Sequence, residues 1–333
     1  ICARIISHKP QQVLDADLLS HRISQALTLR DHLFEQPCYR LIFGEGDKLP
    51  GLVVDRYAAI LVVQITTAGM ERVKNTILDV LRKLLAPGAI LLRNDNAMRT
   101  LEGLPTYIET AYGVIPECMQ LMENGVRFEA PLIDGQKTGW FYDHRSNRRL
   151  TQQYARGQRV LDMFSYLGAF GVQAAVAGAD TVLCVDSSEQ ALDFVRRNAA
   201  LNQVSARVTT QRGDAFTALT ALRDEGAMFD LVVLDPPAFI KRKKDHAQGL
   251  QAYRRLNQLA LMLLAPGGIL VSASCSHHLA RESLLHVMHQ AACAQKRSLR
   301  IIAQGHQGPD HPIHPAIPET DYLKAFFAHV SPD

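Results

Sequence analysis

The sequence predicts an open α/β sheet with helices on both faces, preceded by a smaller α+β domain. Three observations lead there. From Arg159 onward, strand-like and helix-like patterns alternate regularly along the chain. Val160–Gly171 runs a short apolar strand into an acid, a glycine-bearing turn and a helix start without a break. Successive strand ends then carry Asp162, Asp186, Asp214, Asp235 and Cys275, a register of polar or reactive residues where ligands collect in such sheets.

The elements follow in order. Ile1–Ile6 alternates like a strand that has no partner before it, which points to an N-terminal piece absent from this sequence. A helix with Asp15 as its cap carries Leu18, Leu19, Ile23, Ala26, Leu27, Leu33 and Phe34 on one face. Strands are expected at 39–43, 52–54 and 60–67, a helix at 70–85 stopped by Pro87-Gly88, and a strand at 89–92. Strands at 119–122 and 126–130 flank Glu123-Asn124-Gly125, whose Asn-Gly pair marks a tight hairpin. A bridging helix at 146–155 leads into the alternating half. There, strands at 159–163, 181–185, 206–210, 230–234, 269–274 and 299–304 are separated by helices at 171–177, 188–201, 215–224, 247–264 and 279–294. A last strand at 322–330 closes the chain. The alternation argues a parallel sheet.

Composition narrows the function classes. A chain of 333 residues with 47% hydrophobic content suggests about two domains. The apolar run Leu259–Val271 is interrupted by Ala265-Pro266-Gly267-Gly268, so no bilayer-crossing segment and no membrane partner is expected. No basic-then-apolar leader opens the sequence, and Cys2, Cys38, Cys118, Cys184, Cys275 and Cys293 form no C-x-x-C pair. Neither a metal site nor a disulfide framework is indicated, and a cytoplasmic location is the natural reading. Net charge is only +3, so a nucleic-acid partner must be gripped by a local patch.

The glycines of the first turn are spaced G-x-x-G, without the G-x-G-x-x-G that lets a backbone approach a pyrophosphate. That favours S-adenosylmethionine (SAM) over a dinucleotide. SAM has no phosphate to cradle, and its ammonium and sulfonium can be offset by an acid such as Asp162. Asp186, ending the second strand, would accept the ribose hydroxyls. Asp214, at the third strand's end, could be a ligand contact or simply cap the helix behind it. Cys275 in Ser274-Cys275-Ser276 could be a buried structural cysteine or a nucleophile. The run Lys241-Arg242-Lys243-Lys244, with Arg254-Arg255 and the adjacent Tyr253 further on, and Arg145, Arg148 and Arg149 near the expected cofactor loop, are candidates for phosphate contact.

The set Val160–Gly171, Val185-Asp186-Ser187, Gly213-Asp214-Ala215, Asp235-Pro236-Pro237-Ala238-Phe239 and Ser274-Cys275-Ser276 resembles the class I SAM-dependent RNA methyltransferases. Tyr39–Ile42, Leu49–Arg56, Gln136–Arg145 and Asp310-His311-Pro312 extend the likeness over essentially the whole chain. They narrow it to the bacterial 23S rRNA (cytosine-C5)-methyltransferases, built as a PUA domain, an α+β middle domain and a Rossmann-like catalytic domain. The resemblance implies that residues 1–10 end a PUA-like domain, 11–135 form the middle domain on the RNA side, and 136–333 form the methyltransferase domain. It implies large-subunit ribosomal RNA as partner and leaves a homodimer open. It further implies SAM contacts from Lys137, Thr138, Phe141, Asp143 and Arg145 in a loop over the methionine end. The rest would come from Asp162, Phe164, Ser165, Gly168, Asp186, Ser187, Asp214, Ala215, Asp235 and Pro237. RNA contacts would come from Lys241, Arg242, Lys243, Lys244 and Arg254, with Cys275 and Asp235 catalytic.

Cysteine-dependent C5 methylation explains that assignment. Cytosine C5 becomes nucleophilic only after a thiolate adds to C6. The sequence departs from the pattern in two places. Pro237 stands where many RNA cytosine-C5 enzymes carry a second cysteine, so another base must act, with Asp235 and Glu319 as candidates. His277 and His278 follow Ser276 where the family usually has glycine, and Ala238 replaces its lysine. Two alternatives stay open: an exocyclic-amine methyltransferase acting on adenine N6 or guanine N2, which Asp235-Pro236-Pro237 would suit, and a non-catalytic RNA-binding assembly factor that keeps the SAM fold.

Overall fold

A computed structural model describes residues 3–332. It divides into two compact units. The first takes in the chain up to Glu123, then Glu129–Asp143 and Gly308–Thr320; the second takes in Asn124–Phe128, His144–Gln307 and the chain from Asp321 onward.

In the first unit, helix α1 (Ala16–Leu33) is capped by Asp15, which accepts from the Leu18 amide at 3.0 Å. Strands β1 (Cys38–Phe43), β2 (Leu52–Tyr57), β3 (Ile60–Ile65), β4 (Ala89–Asn94) and β5 (Tyr107–Gly113) form a sheet in that order. All its pairings are antiparallel except the parallel pair β3–β4. Leu19, Ile23 and Ala26 of α1 pack with Ile77, Val80 and Leu81 of a later helix over this sheet.

The helix expected over 70–85 is two pieces, α2 (Ala68–Arg72) and α3 (Lys74–Leu85), parted at Val73 with φ −106° and ψ 18°. A short α4 (Met98–Leu101) follows β4. The strand expected at 1–6 is irregular over 3–6, where no ladder partner is found among the described residues; Ile1 and Cys2 lie outside them. Arg30 is fully buried. It donates to both carboxylate oxygens of Asp47, at 2.6 and 2.7 Å, and to the Asp310 carbonyl at 2.8 Å. The segment 308–320 is thereby fixed within this unit.

Strands β6 (Cys118–Glu123) and β7 (Val126–Pro131) form a two-stranded ribbon. Asn124 and Gly125 turn it, at φ 53° and 80°, the left-handed pair a tight hairpin needs.

In the second unit, α5 (Arg145–Ala155) precedes a seven-stranded sheet. Its strands are β8 (Arg159–Met163), β9 (Thr181–Asp186), β10 (Val208–Arg212), β11 (Phe229–Leu234), β12 (Leu264–Ser274), β13 (Arg297–Gly305) and β14 (Lys324–Pro332). The order is β10-β9-β8-β11-β12-β14-β13. The first five run parallel, so their carboxyl ends open on one side. The all-parallel expectation fails at β13 and β14, which pair antiparallel. As β14 reverses, its first residue lies at the side where the parallel strands end.

Helices α6 (Gly171–Val176), α7 (Glu189–Leu201), α8 (Ala215–Asp224), α9 (His246–Leu263) and α10 (Arg281–Ala294) alternate with these strands. Among the described residues no helix is long and apolar enough to cross a membrane.

A Cβ on Gly171 would sit 2.4 Å from Cys184 Sγ and 3.1 Å from Asp162 Oδ2. Gly171→Ala is therefore expected to cost about 1–3 kcal/mol. Urea unfolding checks it: the midpoint should fall at unchanged slope.

Candidate active site

The turn after β8 is tightly specified. Asp162 is buried, and its Oδ2 accepts from the Gly171 amide at 2.8 Å. Phe164, Tyr166 and Gly168 take left-handed φ of 61°, 48° and 77°. For the two aromatic residues this is strained, a condition that clusters at ligand sites. The conformation is held from the neighbouring strand: Ser165 N–H donates to the Val185 carbonyl at 3.0 Å and Tyr166 N–H to Asp186 Oδ2 at 2.9 Å. Asp186 Oδ1 accepts from Ser188 N–H at 2.9 Å, leaving each oxygen a further lone pair for a diol.

In and beside this turn, the buried Asp162 Oδ1 and Ser165 Oγ find no hydrogen-bond partner among the described residues. Leaving such atoms unpaired costs on the order of 1–3 kcal/mol each. A donor-bearing, cationic ligand would satisfy both. Burial raises the Asp162 carboxyl to about 7; the Gly171 amide opposes this, the charges of Asp235 and Asp186 add to it, and Arg148 opposes it.

Asp214 is exposed and caps α8, accepting from the Phe216 and Thr217 amides at 3.0 and 3.2 Å. Ala215 behind it is buried and Ser187 is exposed.

The second half of the site stands on β11 and β12, next to β8. Asp235 is a quarter exposed, and its Oδ1 lies 3.1 Å from His144 Nε2. His144 Nδ1 is 3.0 Å from the Asn147 side-chain nitrogen, which also donates to the His306 carbonyl at 3.3 Å. An amide nitrogen only donates, so Nδ1 accepts, and a neutral His144 carries its proton on Nε2, the nitrogen facing Asp235. Sequence reading passed over His144; its one signal was an imidazole inside the loop expected near the cofactor.

Cys275 is half-buried between two pinned serines. Ser274 Oγ is 2.7 Å from the buried Tyr253 hydroxyl and accepts from Ser276 N–H at 3.1 Å. Ser276 Oγ donates to the Ile240 carbonyl at 2.6 Å, tying the Cys275 loop to the loop that carries Asp235. Phe239 packs on Tyr253 and Phe216, with centroids 4.8 and 6.3 Å apart.

Lys241, Arg242, Lys243, Lys244, Arg254 and Arg255 are exposed, with Arg242 3.4 Å from Asp245. Two expected RNA neighbours are corrected. Tyr253 is buried, and so is Arg148, whose guanidinium lies 5.7 Å from the Phe170 ring centroid. His277 is exposed and stacks on Tyr322 at 5.3 Å. Glu319 is exposed within the first unit.

The expected cofactor loop falls largely in the first unit. There Lys137, at φ 50°, lies 4.8 Å over the Phe141 ring. Thr138 is buried, its carbonyl accepting from Tyr57 Oη at 3.2 Å, and its Oγ1 has no partner among the described residues. Asp143 is buried too, and its carbonyl accepts from the Gly308 amide at 2.8 Å. Arg145 belongs to the second unit, where its carbonyl accepts from Asn124 Nδ2 at 2.9 Å.

A seven-stranded sheet with this order and an acid-rimmed turn at its first strand defines a Rossmann-like methyltransferase. The chain belongs to the S-adenosylmethionine-dependent methyltransferase family, whose model matches residues 91–326, and SAM is its cofactor. It is 37% identical to the ribosomal RNA large subunit methyltransferase I of Erwinia tasmaniensis, over 99% of this chain and 85% of that protein. To the protein of the same name from Shewanella frigidimarina it is also 37% identical, over 99% and 84%. Among solved structures, a SAM-dependent methyltransferase from Streptococcus mutans matches with TM-score 0.85 at 21% identity, covering 98% of this chain and 84% of that one. That likeness speaks for the fold.

A cation beside Asp162 favours its ionised form, so binding releases a proton wherever the unliganded carboxyl is still protonated. SAM affinity should therefore climb as pH rises toward about 7, by up to about tenfold per unit, and level off above. Calorimetry from about pH 5 to about pH 9 reads this directly. Asp162→Asn should flatten the curve.

Proposed function

We propose that this protein is an RNA methyltransferase forming 5-methylcytidine in large-subunit ribosomal RNA. The observation that carries the reading is Cys275 on the strand end beside Asp235, the two loops joined through Ser276 and Ile240. The names of the Erwinia and Shewanella relatives support the RNA class. SAM would be held by Asp162, Ser165 and Asp186, with the turn residues Phe164 and Gly168. Ser187, Asp214, Ala215, Asp235 and Pro237 are further contacts, and Lys137, Thr138, Phe141, Asp143 and Arg145 join them on the resemblance. When bound, SAM supplies an electrophilic methyl carbon.

The chain's own residues do the rest. The Cys275 thiolate adds to cytosine C6, and the displaced electron pair makes C5 nucleophilic. After methylation a base removes the C5 proton, the C5–C6 double bond re-forms and the pair returns to sulfur. Asp235, with Oδ1 engaged by His144, has Oδ2 to accept from the cytosine amino group. The packing of Phe239 on Tyr253 and Phe216 speaks against the amine-methylating alternative, because that chemistry uses an aromatic beside the prolines to stack the base. Lys241, Arg242, Lys243, Lys244 and Arg254 would contact phosphates.

Methyl-labelled SAM incubated with unmodified ribosomal RNA, followed by nucleoside digestion, tests the reading. Label should appear in 5-methylcytidine; label in a methylated adenosine or guanosine would overturn it. Cys275→Ala should lower turnover at least about 10³-fold while SAM binding persists. Replacing Lys243 and Lys244 by Glu should weaken RNA binding and reduce the slope of log affinity against log salt by roughly one per lost phosphate contact.

A further inference from the structure

Lys324 opens β14 and is only 6% exposed. A buried ammonium is costly unless something nearby needs its charge. The β12–β14 register sets Lys324 opposite Ser274, the residue before Cys275. Its Nζ donates to the carbonyl of Ser276, the residue after Cys275, at 2.6 Å. Lys324 thus meets both chain neighbours of the sulfur, Ser274 through the backbone register and Ser276 through its ammonium. We propose that Lys324 is a positioning residue for Cys275, its ammonium holding the sulfur as thiolate both before attack and as it leaves the product.

The surrounding charges fit that pairing. Burial brings the Lys324 ammonium down to about 8, the Cys275 charge is the largest influence opposing this, Arg281 at the start of α10 pushes down, and Asp321 pushes up. Tyr253 on α9 is pushed up to about 12, first by burial, so it faces the sulfur as a neutral phenol. Asp235, on the loop after β11, is a further anion that acts on the Tyr253 hydroxyl. When Cys275 ionises, its proton leaves to solvent while Lys324 keeps its own. The sulfur pair then forms the bond to C6, and it returns to sulfur when that bond breaks. This rests on Cys275 being the nucleophile of the proposed reaction.

The test is the pH profile of Cys275 alkylation by iodoacetamide in the full chain, read by mass spectrometry of the Cys275 peptide. The wild-type midpoint should lie below the ordinary thiol value of about 8.5. Lys324→Met should raise it, slowing alkylation at pH 7 roughly tenfold or more, and Lys324→Arg should restore most of the loss. In turnover, Lys324→Met should lower kcat while leaving KM for SAM unchanged.

A wild-type midpoint at or above the ordinary value overturns the proposal without any variant. So does an unshifted profile in a Lys324→Met chain that melts like wild type. Failure of the methylation reading is seen separately, as full turnover by Cys275→Ala, whatever the alkylation profile shows.

Discussion

The hydrogen bond from the Gly171 amide to the buried Asp162 carboxylate is the contact on which the rest of the site depends. It exists because Gly171 lacks a Cβ, which lets the start of α6 close onto Val182 and Cys184 of β9 and onto Asp162 itself. With strand end and helix start pinned this close, the intervening chain has little length to spare. It turns through left-handed φ at Phe164, Tyr166 and Gly168. Each such residue other than glycine costs on the order of 1–2 kcal/mol. The turn persists because the amides it directs at β9 are satisfied there, one by Val185 and one by Asp186. The same contact therefore sets the acid at the first strand end and orients the acid at the second.

Most of that arrangement was readable from the sequence, for a physical reason. The strand-to-helix turn needs glycine where backbones meet and an acid where amides converge, and both needs are written locally. Features whose cause lies far along the chain were not readable. β5 is an edge strand with little burial, so Tyr107–Gly113 shows no apolar alternation to find. Periodicity carried the expected helix straight through Val73, where the backbone breaks it. Strand direction leaves no local mark, so the reversal of β14 was invisible, and with it the placement of Lys324. The attachment of 308–320 to the first unit depends on Asp310 meeting Arg30 and the Arg40 amide, partners some hundreds of residues upstream by count of the chain. Arg148 reads as one more surface cation in its basic run, and only the fold shows it turned inward over Phe170.

The loops bearing Asp235 and Cys275 are not independent. Tyr253 of α9 holds Ser274, Ser274 receives the Ser276 amide, and Ser276 reaches the Ile240 carbonyl beyond Asp235. His144 Nε2 faces the acid at 3.1 Å from a third direction, its ring oriented by Asn147. Buried polar chains of this kind are costly when incomplete and stiff when complete. Here they immobilise the loops that carry the two reactive groups.

Charge is also graded along the row of strand ends. Asp186 and Asp162 stand at β9 and β8, Asp235 at β11, Cys275 at β12 and Lys324 at the start of β14, in spatial order. On the acidic side burial raises the Asp162 carboxyl to about 7, so a positive ligand there would favour its ionised form. The proposed Cys275 thiolate would stand on the other side, beside the Lys324 ammonium. Were the two environments exchanged, the cofactor would meet a lysine and the thiol would meet carboxylates, and both charged forms would be suppressed. The antiparallel β14 is what allows the separation. Running against its neighbours, it brings the first residue of a strand, rather than the last, to the rim where the chemistry is proposed to occur.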